Sequence, residues 1–201
     1  TADIAAHEFP LASADGHRYT LIARTPTHAH SALLWVPALG VAARHYLPLA
    51  EQLAKRGIAV FLHEWRGNGS SSLRASRQHD WGYRELLLHD LPLSHAEMMR
   101  HVPAATHVIG GHSLGGQLAA CHLGQQPHAF AQLWLVGSGT PHWRTFPAPR
   151  GYALPMFYQF APWLADWHGI LPGRRLGFGG DEARSLIRDW ARVGLSGRYR
   201  A

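Results

Sequence analysis

The stretch Thr106-His-Val-Ile-Gly-Gly-His-Ser-Leu-Gly-Gly-Gln-Leu-Ala-Ala120 reads as a buried strand, a sharp turn carrying Ser113, and a helix. Within it, Gly111-His112-Ser113-Leu114-Gly115 fits Gly-x-Ser-x-Gly, in which the serine sits on a strained strand-to-helix turn with its hydroxyl pushed out over the sheet. Such a turn brings strand and helix so close that a side chain at Gly111 or Gly115 would collide with neighbouring backbone, and Gly116 adds clearance. The helix start also leaves free N–H groups and a positive dipole end beside Ser113, which suits a site where negative charge develops on a substrate oxygen. That is the logic of acyl transfer, with Ser113 as the candidate nucleophile. A pentapeptide this short also occurs as a plain Gly-Ser turn, so its setting must carry the weight.

That setting is a series of short apolar runs separated by helical patterns. Ala32-Leu-Leu-Trp-Val36, Ile58-Ala-Val-Phe-Leu62, the run ending at Gly110, and Gln132-Leu-Trp-Leu-Val136 have the character of strands covered on both faces, as in a parallel sheet. Helices are expected from about Tyr46 to Arg56, stopped by Gly57, from Trp81 to His101, with Asp90 placed to cap a new helix before Pro92, and from Leu114 to Gln125. Ahead of these, His7 to Leu11 and His17 to Ala23 flank Asp15-Gly16, a dipeptide that favours a tight antiparallel hairpin. After Pro141 the chain becomes dense in aromatics and prolines and reads as irregular turns with short helices up to Trp167, then a helix from about Asp181 to Val193. We therefore expect an α/β core over residues 1–140 and an aromatic-rich cap over residues 141–201.

The totals narrow the class. A chain of 201 residues with 46% hydrophobic and 16% charged residues is a globular domain with enough length to bury a core. The formal charge of +6 comes almost wholly from dispersed arginines, with no basic stripe interleaved with stacking aromatics, so nucleic acid is not an expected partner. No stretch is apolar enough for a membrane span, and no signal segment is visible, which points to the cytoplasm. One cysteine, Cys121, excludes an internal disulfide framework, and His28-Ala29-His30 is the only tight histidine pair, so neither metal nor cofactor is expected. Gly67 and Gly69 lack the Gly-Lys-Ser/Thr of a phosphate cradle.

Three blocks together resemble the α/β-hydrolase superfamily: Pro37-Ala38-Leu39-Gly40, where members often show His-Gly-x-Gly; Glu64-Trp65-Arg66-Gly67-Asn68-Gly69-Ser70-Ser71, similar to Asp-x-Arg-Gly-x-Gly-x-Ser; and Gly111 to Gly116. The closing Ile187 to Tyr199 looks like the cap of a bacterial group of predicted α/β-hydrolases. The resemblance implies a mostly parallel sheet with helices on both faces, an N-terminal antiparallel hairpin and a partial helical cap. It also implies an oxyanion hole formed by the backbone N–H groups of Leu114 and Leu39. Pro37 stands where a histidine is frequent.

In this fold the triad's acid and histidine follow the serine on loops after later strands, and neither strand is visible here. His122, His128, His142 and His168 are the only later histidines, and the pair Asp166 and His168 is too close in sequence to occupy separate loops. The expectation is a chain truncated before its C-terminal strands and inactive alone, from a serine esterase or similar acyl hydrolase that takes a small apolar ester or acyl substrate. The alternative is a catalytically inactive hydrolase-like domain that binds a small molecule in the same cleft.

Overall fold

Ala32-Leu33-Leu34-Trp35-Val36 offers no polar face, and in the computed structural model, which describes residues 3–199, both of its sides are covered. This strand, β3 (Ser31–Val36), runs parallel to β4 (Ile58–Leu62) on one side and β5 (Thr106–His112) on the other, with Ser31 opposite both Ile58 and Thr106. Successive side chains of a strand point to opposite faces. Leu33 and Trp35 accordingly join Val60, Leu62 and Val108 in a layer under α1 (Leu47–Ala54). Ala32, Leu34 and Val36 join Ala59, Phe61 and Ile109 under α3 (Leu91–His101) and α4 (Leu114–Gln125). Continuous apolarity in sequence thus becomes a sheet sandwiched between helices.

The other strands extend that sheet in the order β1-β2-β4-β3-β5-β6. Beyond β5 lies β6 (Gln132–Val136), parallel to it, which completes the four parallel strands expected. Beyond β4 lies the hairpin of β1 (Ile4–Ala12) and β2 (Arg18–Pro26), both longer than the alternation alone suggests. The hairpin closes where the Ser13 N–H donates to the His17 carbonyl at 2.8 Å, leaving Gly16 to take the left-handed conformation at φ 88°.

Asp90 departs from expectation. It is no helix cap: its backbone is helical and its buried carboxylate accepts hydrogen bonds from Ser13, His17 and Arg66. Helix α2 (Tyr83–Glu85) runs into α3 through a single wide turn, Leu86–Asp90, in which the Leu91 N–H reaches back to the Leu86 carbonyl. That widened turn accommodates Pro92, which has no N–H to donate.

The cap is more regular than its prolines suggest. Residues expected to form short pieces make one helix, α5 (Arg150–His168), which holds both Pro155 and Pro162. Each interior proline costs a helix about 3 kcal/mol in isolation. Burial offsets the loss, because Gly151, Tyr158, Ala161 and Ala165 are covered and α5 packs along α7 (Arg184–Ser196). The ring of Tyr158 lies where a side chain on Gly194 of α7 would stand. Between the two helices sits a small hairpin of β7 (Leu171–Pro172) and β8 (Asp181–Glu182) around α6 (Gly173–Leu176), none of which periodicity indicates. Among the described residues no helix is long and apolar enough to cross a membrane.

Candidate active site

Ser113 is the only residue other than glycine with a positive φ among those described, at φ 54° and ψ −123°. Side chains occupy that region only when the surroundings impose it. Here they do so from three sides. The Ser113 N–H donates to the Val136 carbonyl of β6 at 3.1 Å, and the Ser113 carbonyl accepts from the Ser138 hydroxyl at 2.7 Å and from the N–H groups of Gly116 and Gln117. A side chain on Gly111 would strike the backbone of Gly115, and one on Gly115 would strike the carbonyls of Val36 and Pro37. The glycines are therefore a packing requirement of β3, β5 and α4 meeting at one point.

The half-buried Ser113 side chain lines a cavity of about 880 Å³. Leu39 and Leu114 line it too, so all three residues singled out in the sequence converge there. The cap supplies much of the remaining wall through Phe146, Leu154, Phe157, Tyr158, Phe178 and Trp190. Among the described residues the Leu39 and Leu114 N–H groups find no protein acceptor, whereas the neighbouring Ala38 N–H donates to the Tyr46 hydroxyl at 2.9 Å. The same hydroxyl lies 3.0 Å from His112 Nδ1, which ties the loop after β3 to the residue preceding Ser113. Burial raises the Tyr46 pKa, the Ala38 N–H partly countering it, so the group stays a neutral phenol.

Other anchors fix that loop from further along the chain. The Trp65 indole N–H donates to the Pro37 carbonyl at 2.8 Å, and the buried Glu64 carboxylate accepts from the Ala43 and Ser70 N–H groups. From the cap side, Gly179 and Gly180 press on Gly40, where a side chain would collide with them. Glu182 holds that contact by accepting from the Gly180 N–H at 2.7 Å. Burial pushes the Glu182 carboxyl up to about 7, partly against the effect of that hydrogen bond. Of these, only the Glu64 block carried a sequence signal.

A serine–histidine–aspartate row does exist, away from Ser113, and it is sealed. Ser71 Oγ lies 2.9 Å from His17 Nε2, and His17 Nδ1 lies 3.2 Å from Asp90 Oδ1. All three are buried, Ser71 Oγ also accepts from the Gly67 and Leu73 N–H groups, and Asp90 is bound to Arg66. Burial would raise the Asp90 carboxyl, but hydrogen bonds from His17 and Arg66 outweigh it and hold the group well below the usual carboxylate range. The row braces the hairpin against α3 and the glycine-rich loop.

No imidazole or carboxylate lines the Ser113 cavity among the described residues. His122 is buried against His95 and Phe130, and His142 contacts the Gly194 carbonyl in the cap. Asp166 pairs with Arg188. His30, from the histidine pair, is engaged by the Ser31 hydroxyl and the Arg56 carbonyl, and no group of three metal-binding side chains occurs among the described residues.

The fold has counterparts among known proteins. A family model described as serine aminopeptidase, S33, matches residues 27–193. A soluble variant of monoglyceride lipase from Saccharomyces cerevisiae is 15% identical with a TM-score of 0.68, covering 96% of this chain and 68% of that one. A thermostable carboxyl esterase from Bacillus coagulans is 18% identical with a TM-score of 0.58, over 79% of this chain and 51% of that one. An α/β hydrolase from Novosphingobium aromaticivorans is 24% identical with a TM-score of 0.56, over 78% and 50%. The chain thus spans about half the length of the last two, and at these identities the likeness is one of fold. No match was found among curated protein sequences.

Proposed function

The chain belongs to the serine aminopeptidase S33 family of α/β-hydrolases, and from that premise we propose that Ser113 is the nucleophile of an acyl hydrolase acting on small apolar esters or related acyl compounds. Ser113 Oγ attacks the substrate carbonyl carbon while the N–H groups of Leu114 and Leu39 receive the developing oxyanion; the bond to the alcohol then breaks, the alcohol leaves with a proton that balances the one lost by Ser113, and water hydrolyses the acyl-enzyme to the free acid. A hydrogen-bond donor of this kind is worth roughly 3 kcal/mol to the transition state. The aromatic cap residues Phe146, Phe157, Phe178 and Trp190 surround the acyl or alcohol group, since their rings give the cavity an apolar wall.

The observation that carries this reading is the forced positive φ of Ser113 at the wall of a cavity that Leu39 and Leu114 also line, their amides having no internal acceptor among the described residues. The residues described supply the nucleophile and oxyanion side of the site, and we assign no general base among them. The second reading is a silent hydrolase-like domain that binds a small apolar molecule in the same cavity without turning it over. The test is labelling by a fluorophosphonate probe of the protein in the full length its gene encodes. Labelling lost in Ser113→Ala supports the hydrolase, and a folded protein that is not labelled would falsify it in favour of the binding domain.

A further inference from the structure

The outer face of α5 has no role in the proposal above. Tyr152, Met156, Phe160, Trp163 and Trp167 are 73%, 76%, 50%, 57% and 69% exposed. At about 100° per residue the five positions fall within an arc of about 80°, and at about 1.5 Å rise they extend for about 22 Å. The rings of Phe160, Trp163 and Trp167 stand against one another in series, at 5.6 and 6.3 Å between centroids. Water-facing helices put polar residues on such an arc, so an unbroken stripe of aromatic and thioether side chains marks a contact surface.

Its electrical surroundings indicate the kind of partner. Asp166, the only carboxylate on α5, is neutralised by Arg188. At one end of the stripe Arg144 stacks on Trp143 and shares with Tyr152 the wall of a hollow of about 270 Å³. At the other end Arg77 donates to the Trp167 carbonyl. A stripe rich in Trp, Tyr and Phe with arginine at both ends matches the boundary between lipid headgroups and acyl chains, where indole and phenol rings settle and cations meet phosphate. A second protein would be expected to offer carboxylates or a groove to such a face, and the one anion of this helix, Asp166, is already paired with Arg188 and so is not left for a second copy.

We propose that the exposed stripe of α5 docks the protein, without spanning, onto anionic lipid bilayers. The helix then has two working faces. Leu154, Phe157 and Tyr158 line the Ser113 cavity, while the stripe lies against lipid, so an apolar molecule leaving the bilayer has a short route into the cavity. Docking does not depend on Ser113 being a nucleophile.

Sedimentation with phosphatidylcholine vesicles, with and without phosphatidylserine, tests this. The protein is expected to sediment with the serine-lipid vesicles, to be released by salt, and to show a blue shift of tryptophan emission on binding. Trp163→Asp combined with Trp167→Asp should lower partitioning on the order of tenfold with an unchanged melting temperature. Met156→Glu is the independent variant should the double one fold poorly, and Arg144→Glu should weaken binding to the anionic vesicles alone. Failure to sediment with either vesicle, equal binding to both, indifference to Met156→Glu, or a concentration-dependent dimer dissolved by the stripe variants would each overturn the proposal.

Discussion

The guanidinium of Arg66 grips the carboxylate of Asp90 through two hydrogen bonds, from Nε at 2.6 Å and from Nη2 at 2.9 Å, with both side chains buried. Arg66 also reaches Asp15 at 2.7 Å, but there the acid is about one-third exposed. Removing one partner of a buried pair leaves the other charge without compensation, whereas an exposed pair contributes little. Asp90→Ala is therefore expected to cost about 3 to 5 kcal/mol in urea unfolding, and Asp15→Ala less than about 1 kcal/mol. Equal losses would contradict this account of the network.

Two glycines of α4 should behave oppositely. Gly115→Ala places a methyl group against the carbonyls of Val36 and Pro37 and is expected to destabilise by about 1 to 3 kcal/mol or more and to abolish probe labelling of Ser113. Gly124 has open space around it, so Gly124→Ala should stabilise by about 0.5 to 1 kcal/mol and leave labelling alone. Thermal melts and labelling gels read both.

Tyr46→Phe removes the acceptor for the Ala38 N–H without changing the ring. The freed amide costs about 1 to 3 kcal/mol if no water replaces the hydroxyl, and the loop bearing Leu39 loosens. Probe labelling of Ser113 should slow about tenfold, a barrier increase of about 1.4 kcal/mol. An unchanged rate would mean that the hydroxyl does not set the loop's shape.

Stability should depend on pH in two opposed ways. Burial holds His63, His95 and His122 down to about 4, so they are neutral in the native protein. Unfolded histidines bind protons nearer 6.5, and the contribution of these three is complete above that value and lost as pH falls towards 4, by up to about 3 kcal/mol for His63. Glu182 runs the other way. Its carboxyl, raised by burial to about 7 with Asp181 and Arg174 as its charged neighbours, favours folding fully below 4.5 and loses that contribution as pH rises through 7. In denaturant titrations Glu182→Gln should gain on the wild type between these values, and a constant difference would rule the effect out.

The core was legible in the sequence because its local signals agree. β3, β4 and β5 are apolar and largely covered, glycines stand where backbones touch, and Asp15-Gly16 marks the hairpin; β6 reads the same way in sequence but lies at the sheet edge with Leu135 and Val136 about half exposed, so the covering expected for it is not seen. The convergence of Ser113, Leu114 and Leu39 on one cavity follows from the same motifs. What could not be read depends on partners distant along the chain. Pro155 and Pro162 argue against a long helix until α7 is packed on it, and Asp90 looks like a cap until Arg66 and His17 arrive from elsewhere. Tyr46 gave no sign, because its role rests on reaching Ala38 and His112 at once.

Among the described residues, the contacts that pin Ser113 come from positions preceding Thr140: the Val136 carbonyl, the Ser138 hydroxyl, the N–H groups of Gly116 and Gln117, and the backbone of Val36 and Pro37 against Gly115. The Ser113 turn and the cap walls of the cavity beside it are thus separately heritable. Mutations that reshape α5 or its neighbours can alter the shape of the cavity while the serine keeps its posture, so under the proposed function new preferences can evolve without the chemistry being reinvented.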